Sequence, residues 1–326
     1  MGSGTELSLA WETRLATLDF QCGPVTLGRV KFKALTFMSS PFIVAEDVNI
    51  PIENAVSRGC QAVVVQAPRA DGETLAIGFE RRALRYTARY YLRFVIDLQG
   101  SFPEYLRKFS KKSRHELQRT VRRFAEASGG ALDLHEYRTG AEIITFHNLA
   151  ISISSQSYKK DLGWGFSEDQ DFVRRLRAEA DAGALCGYVL MLSGEPAAYG
   201  LCKIERDVVT YKYTGYVDNF ARRSPGKVLL YLMLERLFAE RRYRIFDFDG
   251  TDYFAYKEFF ATRAIPFGRV VWFRLTTRNL AIGISHWIIT AMWRAAAKAR
   301  NLRTLHARGW VSARKLAGWP HQPSPS

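Results

Sequence analysis

Between residues 184 and 216 the apolar positions fall into three short runs, over 184–192, 197–205 and 208–216, each closed by a polar break. The runs are rich in β-branched and aromatic residues, and Ser193-Gly194 and Arg206-Asp207 supply the breaks, so the stretch predicts an antiparallel meander. The period then changes. Val228, Leu229, Tyr231, Leu232, Leu234, Leu237 and Phe238 recur at helical spacing and predict one helix with a broad apolar face. Residues 243–248 return to alternation as a strand, Gly250 turns the chain, and Asp252 is placed to cap a short helix carrying Tyr256 and Lys257.

Upstream, residues 101–127 read as two helices with Ser101 and Ser110 as caps. Their polar face is basic, with Lys108, Lys111, Lys112, Arg114, Arg122 and Arg123 among its cations. That face reads equally as a solvated surface and as a funnel for a polyanion. Residues 132–137 predict a strand, 141–156 a helix, and Ser167 opens a further helix with acids in its first turn. Nearer the start, 52–59 is helix-like, 75–79 and 90–97 read as strands, and residues 1–30 give no clear period. Residues 270–275 close the sheet, and 280–293 is an apolar helix too short to span a bilayer.

Between the third strand and the helix stands Arg222-Arg223-Ser224-Pro225-Gly226-Lys227-Val228. Pro225 suits a helix start, Ser224 is a natural cap, and Gly226 puts no side chain between the backbone amides and a ligand. Loop amides, helix dipole and three cations together are shaped to hold an anion. Asp247 and Asp249 alternate with Phe246 and Phe248, so both acids are expected on one strand face. Either fits a proton acceptor. Asp249-Gly250 fits a plain turn equally well, and Asp247 fits a structural pair with Lys212 on the neighbouring strand.

The order strand, R-x-x-G-x-V loop, helix, strand and Y-K-x-F-F resembles the cofactor half of the GNAT acyltransferase fold, and most of all its CelD-type, FemAB-related branch. Tyr211, Tyr213, Gly215, Tyr216, Ser224 to Lys227 and Phe246 to Phe248 carry that likeness. Val228 and Phe259 depart from it, standing where glycine or alanine, and glycine, are usual. The resemblance implies an α/β (α+β) fold with a mixed, mostly antiparallel sheet flanked by helices, and a tandem pair of such units is one arrangement it allows. The expected divisions are 1–100, a basic helical connector over 101–128, the acyltransferase unit over 129–278, and a basic helix and tail over 279–326.

What the resemblance implies for chemistry is acyl transfer from acetyl-CoA or another acyl-CoA to an amine or hydroxyl of a sugar or polysaccharide-linked acceptor. The pyrophosphate would rest on Arg222 to Val228 with Tyr213 nearby, and a backbone N–H of the 209–214 strand would polarise the carbonyl. Asp247 or Asp249 would take a proton and Tyr256 would give one to the thiolate. Tyr158, Trp164, Lys212 and Lys257 are the expected acceptor contacts. Tyr256 reads equally as a core aromatic. An aminoacyl-tRNA donor, as in FemAB-type enzymes, is the alternative that would explain the basic helix, and a non-catalytic protein docked on a membrane or synthase is another.

Composition trims these readings. Cys22, Cys60, Cys186 and Cys202 stand apart with no C-x-x-C pair, and His115, His135 and His147 lack metal-like spacing, so neither a disulfide framework nor a metal is expected. The start carries no charged-then-apolar leader, and a cytoplasmic location is the expectation. The net charge of +15 is concentrated late. After Glu258 there is no acid and there are eleven cations, which points to an anionic surface, such as a membrane, as a neighbour of the C-terminal helix. Nucleic acid without catalysis is not expected, because the basic tail holds no recognisable reading motif.

Overall fold

The computed structural model describes residues 11–22, 25–37, 42, 50–68, 77–157, 165–250 and 254–299. The chain forms two compact units, Met1–Leu92 with Ile265–Ser326, and Arg93–Ala264.

The first unit opens with a long antiparallel hairpin of β1 (Trp11–Cys22) and β2 (Val25–Phe37). Residues 1–30 predict no element because Leu15, Val25 and Leu27 are exposed, and these apolar positions on the solvent face blur the period-two alternation. After α1 (Ile52–Ser57), β3 (Ala62–Pro68) runs parallel to β2. β4 (Ile77–Glu80) and β5 (Ala83–Asp97) form a second hairpin through Arg81 and Arg82. Both turn residues have positive φ, 51° and 58°, the backbone that a two-residue hairpin turn requires. Within β5, between Leu92 and Arg93, the chain enters the second unit.

There α2 (Phe102–Leu106) and α3 (Lys111–Ala127) start at the predicted caps. Ser101 Oγ accepts from the Glu104 amide while Glu104 accepts from the Ser101 amide, a capping box. β6 (Asp133–Tyr137), α4 (Gly140–Ser155) and α5 (Gln170–Asp181) follow. The cap of α5 is Asp169, not Ser167: the Asp169 carboxylate accepts from the Asp171 amide, and Ser167 Oγ accepts from the Asp169 amide one step earlier. The meander is present as β7 (Leu185–Leu192), β8 (Glu195–Glu205) and β9 (Val208–Tyr216). A 3-10 turn (Asp218–Arg223), α6 (Pro225–Glu240), β10 (Ile245–Asp247) and α7 (Ala255–Phe260) complete the unit. β11 (Arg263–Arg274) then carries the chain back to the first unit, pairs antiparallel with β3, and leads into α8 (Thr277–Ala299).

In the second unit the strands lie in the order Arg93–Asp97 of β5, then β10, β9, β8, β7 and β6. Every neighbouring pair is antiparallel except β9 with β10, which the crossover helix α6 makes parallel. Successive residues of β7 point to opposite faces. Tyr188 and Leu190 pack with Leu117, Phe124, Leu229 and Met233 from α3 and α6. Leu185 and Val189 pack with Ile143, Phe146 and Leu176 from α4 and α5. This is a mixed, mostly antiparallel sheet flanked by helices, as expected. Close approach of α4 needs a glycine in β7: a Cβ at Gly187 would stand 2.6 Å from the Phe146 ring. Gly187→Ala should therefore lower unfolding stability by about 1–3 kcal/mol. An unchanged denaturation midpoint would show that the two elements can move apart freely.

The boundaries suggested at 100, 128 and 278 differ from this division. Leu117 and Phe124 are core residues, so α3 belongs to the second unit and is no connector. Helix α8 belongs to the first unit, where Leu280, Ile282 and Trp287 lie on Leu84, Tyr86 and Phe273. Gly283 lets it come close, for a Cβ there would meet Leu84 at 2.7 Å.

Candidate active site at the carboxyl ends of a parallel strand pair

β9 and β10 pair only from Val208↔Ile245 to Thr210↔Asp247, although β9 continues alongside β8 to Ala198↔Tyr216. Beyond Asp247 the chain turns through Asp249 (φ 48°) and Gly250 (φ 73°), and the two strands part. The loop after β9 and the turn after β10 are both at carboxyl ends, where open α/β sheets hold ligands. Where they part, β9 is bulged: Tyr211 faces Cys202 and Tyr213 faces Leu201, leaving Lys212 as the extra residue. The bulge aims Lys212 across the gap, and its Nζ donates to Asp249 Oδ2 at 2.8 Å.

The centre of the charge arrangement is Arg93, a residue that sequence reasoning did not single out. Its guanidinium donates to Asp247 at 2.9, 3.0 and 2.6 Å and to Asp249 Oδ1 at 2.8 Å. Four groups therefore alternate in sign, Asp247, Arg93, Asp249 and Lys212. Asp247 is completely buried, with both oxygens held by Arg93. The alternative of a pair with Lys212 is not found, because the bulge takes Lys212 to Asp249. Nor do the two acids share a strand face: Asp249 lies past the end of β10 and reaches Arg93 through its left-handed turn.

The two carboxyls titrate in opposite directions. Burial raises the pKa of Asp247, with Arg93 only partly offsetting it. Burial pushes Asp249 the same way, but Lys212 and Arg93 outweigh it and hold that carboxyl down at about 2. With about a quarter of its side chain exposed, Asp249 is the acid that faces the cleft. It is a permanent charge and a weak proton acceptor. Asp247, out of reach of any acceptor, is a structural counter-ion and not the proton acceptor expected of it.

The anion loop differs from expectation in one respect. Ser224 does not cap α6 with its side chain; it sits in the left-handed region (φ 52°, ψ 47°) and its hydroxyl makes no cap bond. Pro225 takes the first helical turn as expected. The Ser224 amide is bonded to Ala221 O, and those of Lys227 and Val228 to Ser224 O. Gly226 stands at the second position of α6 and puts no side chain over the first turn. A Cβ there would touch Tyr216 at an ordinary 3.6 Å, so the space beside it is open. Arg222, Arg223 and Lys227 are exposed around it, and Val228 is core. The helix dipole and three exposed cations suit an anion such as a pyrophosphate.

Tyr256 lies on α7, 36% exposed, with its ring edge-on to Phe248. Lys257, an expected acceptor contact, is instead buried and donates to the Asp249 carbonyl at 2.7 Å, bracing the acidic turn. Tyr213 is partly exposed and edge-on to Phe166 and Phe172. Tyr158 and Trp164 lie outside the described residues. A second residue that the sequence hid is Lys108. Its Nζ donates to Phe259 O at 2.9 Å and to Ala261 O, capping the helix that carries Tyr256, and burial lowers its pKa to about 8. Among the described residues no group of three or more His, Cys, Asp or Glu is placed to hold a metal ion. A depression of about 710 Å³ lined by Ser101, Asp207 and Arg241 to Arg244 opens at the amino ends of β9 and β10, away from this chemistry.

Residues 111–258 match the family model described as acetyltransferase (GNAT) domain, a little under half of the chain and wholly within the second unit. Among curated proteins none matches the sequence. Of solved structures, the C-terminal domain of a protein described as a lysylphosphatidylglycerol synthetase from Agrobacterium fabrum is 11% identical over 86% of this chain and 88% of its own, with a TM-score of 0.50. It speaks for the fold alone. FemX is 12% identical over 85% of this chain and 91% of its own, at 0.46. L-PGS from Bacillus licheniformis is 15% identical over 80% of this chain and 85% of its own, also at 0.46.

Proposed function

We propose that this GNAT acetyltransferase-type domain moves an acyl group from acyl-coenzyme A to an amine or hydroxyl acceptor, of the sugar class to which the sequence resemblance points. The observation that carries this reading is the parting of β9 from β10, with the Gly226 amide and its three cations after one strand and the Asp249 turn after the other. The acceptor nitrogen or oxygen attacks the thioester carbon, the new C–N or C–O bond forms and the C–S bond breaks. A backbone N–H of β9 beyond Thr210 would polarise the carbonyl. The Tyr256 hydroxyl would give its proton to the departing thiolate, and the proton lost by the acceptor passes to water. Asp249, too acidic to serve as base, would hold a cationic acceptor or its polar groups by fixed charge.

Calorimetry with acetyl-CoA tests the donor. The parent should bind, and Gly226→Asp, which puts a carboxylate among the loop's cations at the start of α6, should bind at least tenfold more weakly with its fold intact. Equal affinities would remove the loop from the donor site. Two observations favour a second donor, aminoacyl-tRNA. Pro225 and the internally bonded amides leave a sparse phosphate cradle, and α3 presents Lys111, Lys112, Arg122 and Arg123 to solvent. Tight tRNA binding with no response to acyl-CoA would transfer the assignment.

A further inference from the structure

Helix α8 has two apolar faces, and only one of them is used. Inward, Leu280, Ile282 and Trp287 lie on the first unit's core, and His286 is fixed between the Tyr86 hydroxyl and the Asp19 carbonyl. Trp287 is therefore packed against the core. Outward, Ile284, Ile288 and Met292 are 40, 43 and 66% exposed at i, i+4 and i+8, with Ala281 and Ala295 exposed along the same side. A helix that merely covers a core carries charge on its solvent side. This one carries none from Ala281 to Trp293, and no acid follows it anywhere in the chain. Seven cations follow instead: Arg294, Lys298, Arg300, Arg303, Arg308, Arg314 and Lys315.

We infer that the outer face of α8 rests in the surface of an anionic lipid bilayer, with Ile284, Ile288 and Met292 entering the acyl boundary and the acid-free tail drawn to the headgroups. The charge selects the occupant. A second copy of this strongly basic chain would bring like charge to like, and a neutral protein groove would leave the seven cations without a role. No described helix is long and apolar enough to cross a membrane, so the attachment is in the plane of the surface and reversible. A short apolar stripe binds weakly alone, and cations add attraction that salt screens within a Debye length of about 8 Å at physiological ionic strength.

The test keeps the helix in place, because deleting it would uncover Leu84 and Phe273. Full-length protein and the triple variant Ile284→Ser, Ile288→Ser, Met292→Ser are floated with vesicles of phosphatidylcholine alone or with about a third phosphatidylglycerol, at low and physiological salt. In parallel, size-exclusion chromatography reports self-association and a titration with duplex RNA reports nucleic-acid binding. The parent should float only with the anionic vesicles, at least tenfold less at the higher salt. The triple variant should lose at least tenfold at either salt while its melting temperature holds. The proposal is overturned by a parent indifferent to anionic vesicles at low salt, or by a variant that floats as well as the parent. A parent dimer that the triple substitution dissolves, without lipid binding, or preference for RNA over vesicles, overturns it equally.

Discussion

Replacing Arg93 by methionine should destabilise the second unit by about 3–5 kcal/mol, the largest effect expected of any single exchange in this chain. The loss of the attraction is the smaller part. Asp247 would be left without its cation in a fully buried position, and Asp249 would keep Lys212 as its counter-charge. Chemical denaturation at pH 7 reads the deficit. Arg93→Lys should fall between, since an ammonium keeps the charge but cannot bridge both acids with a planar fork. The pH dependence identifies the cause. In the parent, Asp249 has a folded pKa of about 2 against roughly 3.9 for a free carboxyl, so its stabilisation is complete above pH ~4 and lost as pH falls towards 2. Asp247, raised by burial, has the opposite sign: its contribution is full in acid and lost as pH rises through its folded pKa. Without Arg93 only the Asp249 amide opposes burial at Asp247. The variant's deficit should then shrink as pH falls and that carboxyl takes a proton. A deficit that stays constant with pH would mean that Arg93 acts by packing and not by charge.

Tyr256→Phe should cut turnover about 10²–10³-fold while leaving donor affinity and melting temperature where they were. The ring stays edge-on to Phe248 and Phe254 keeps its neighbour, so only the hydroxyl is lost. A thiolate that leaves without a proton is the less stable product, and the penalty belongs to the transition state. Donors with a more acidic thiol need less help, so an activated thioester should recover much of the rate. If turnover falls equally for both donors, or if the donor KM rises in step, the hydroxyl is serving to position substrate. Lys108→Met gives the complementary reading. It removes the cap from the helix that holds Tyr256 and should reduce turnover by a smaller factor, with a loss of stability that Tyr256→Phe does not show.

The second unit was largely legible in its amino acids because its periods are clean. β9 falls on the expected residues, Ser101 and Ser110 cap as read, and the change from strand to helical spacing locates α6. The first hairpin was not, since Leu15, Val25 and Leu27 break the alternation by which a half-buried strand is known. In the site, Gly226 and the acidic turn were visible as local signals, but Arg93 could not be. It looks like a stray charge in the apolar strand around it, and the acid that explains it lies 154 positions along the chain. The same holds for Lys108, which reads as one more cation on a basic helix until its ammonium is found on the end of α7. Lys212 stands out in the sequence but its partner does not, because a bulge shifts side-chain direction without leaving any mark in the hydrophobic pattern.

The chain leaves its first unit within β5 and returns to it only at β11. That path sets an order of events on the ribosome. When residues 93–264 have emerged, every strand and helix of the second unit is present, and it has all it needs to fold. The first ninety residues do not. Val63 and Val64 of β3 wait for Trp272 and Val271, and the core face of Leu84 and Tyr86 waits for α8, some two hundred residues of synthesis later. At a rate of about 5–20 residues per second, that leaves one edge of β3 unpaired and an apolar face uncovered for ten seconds or more. A nascent chain arrested once residue 264 has left the ribosome, with α8 still inside it, should therefore show a protease-resistant second unit behind a freely digested amino-terminal segment, and it is in this interval that a chaperone would be engaged.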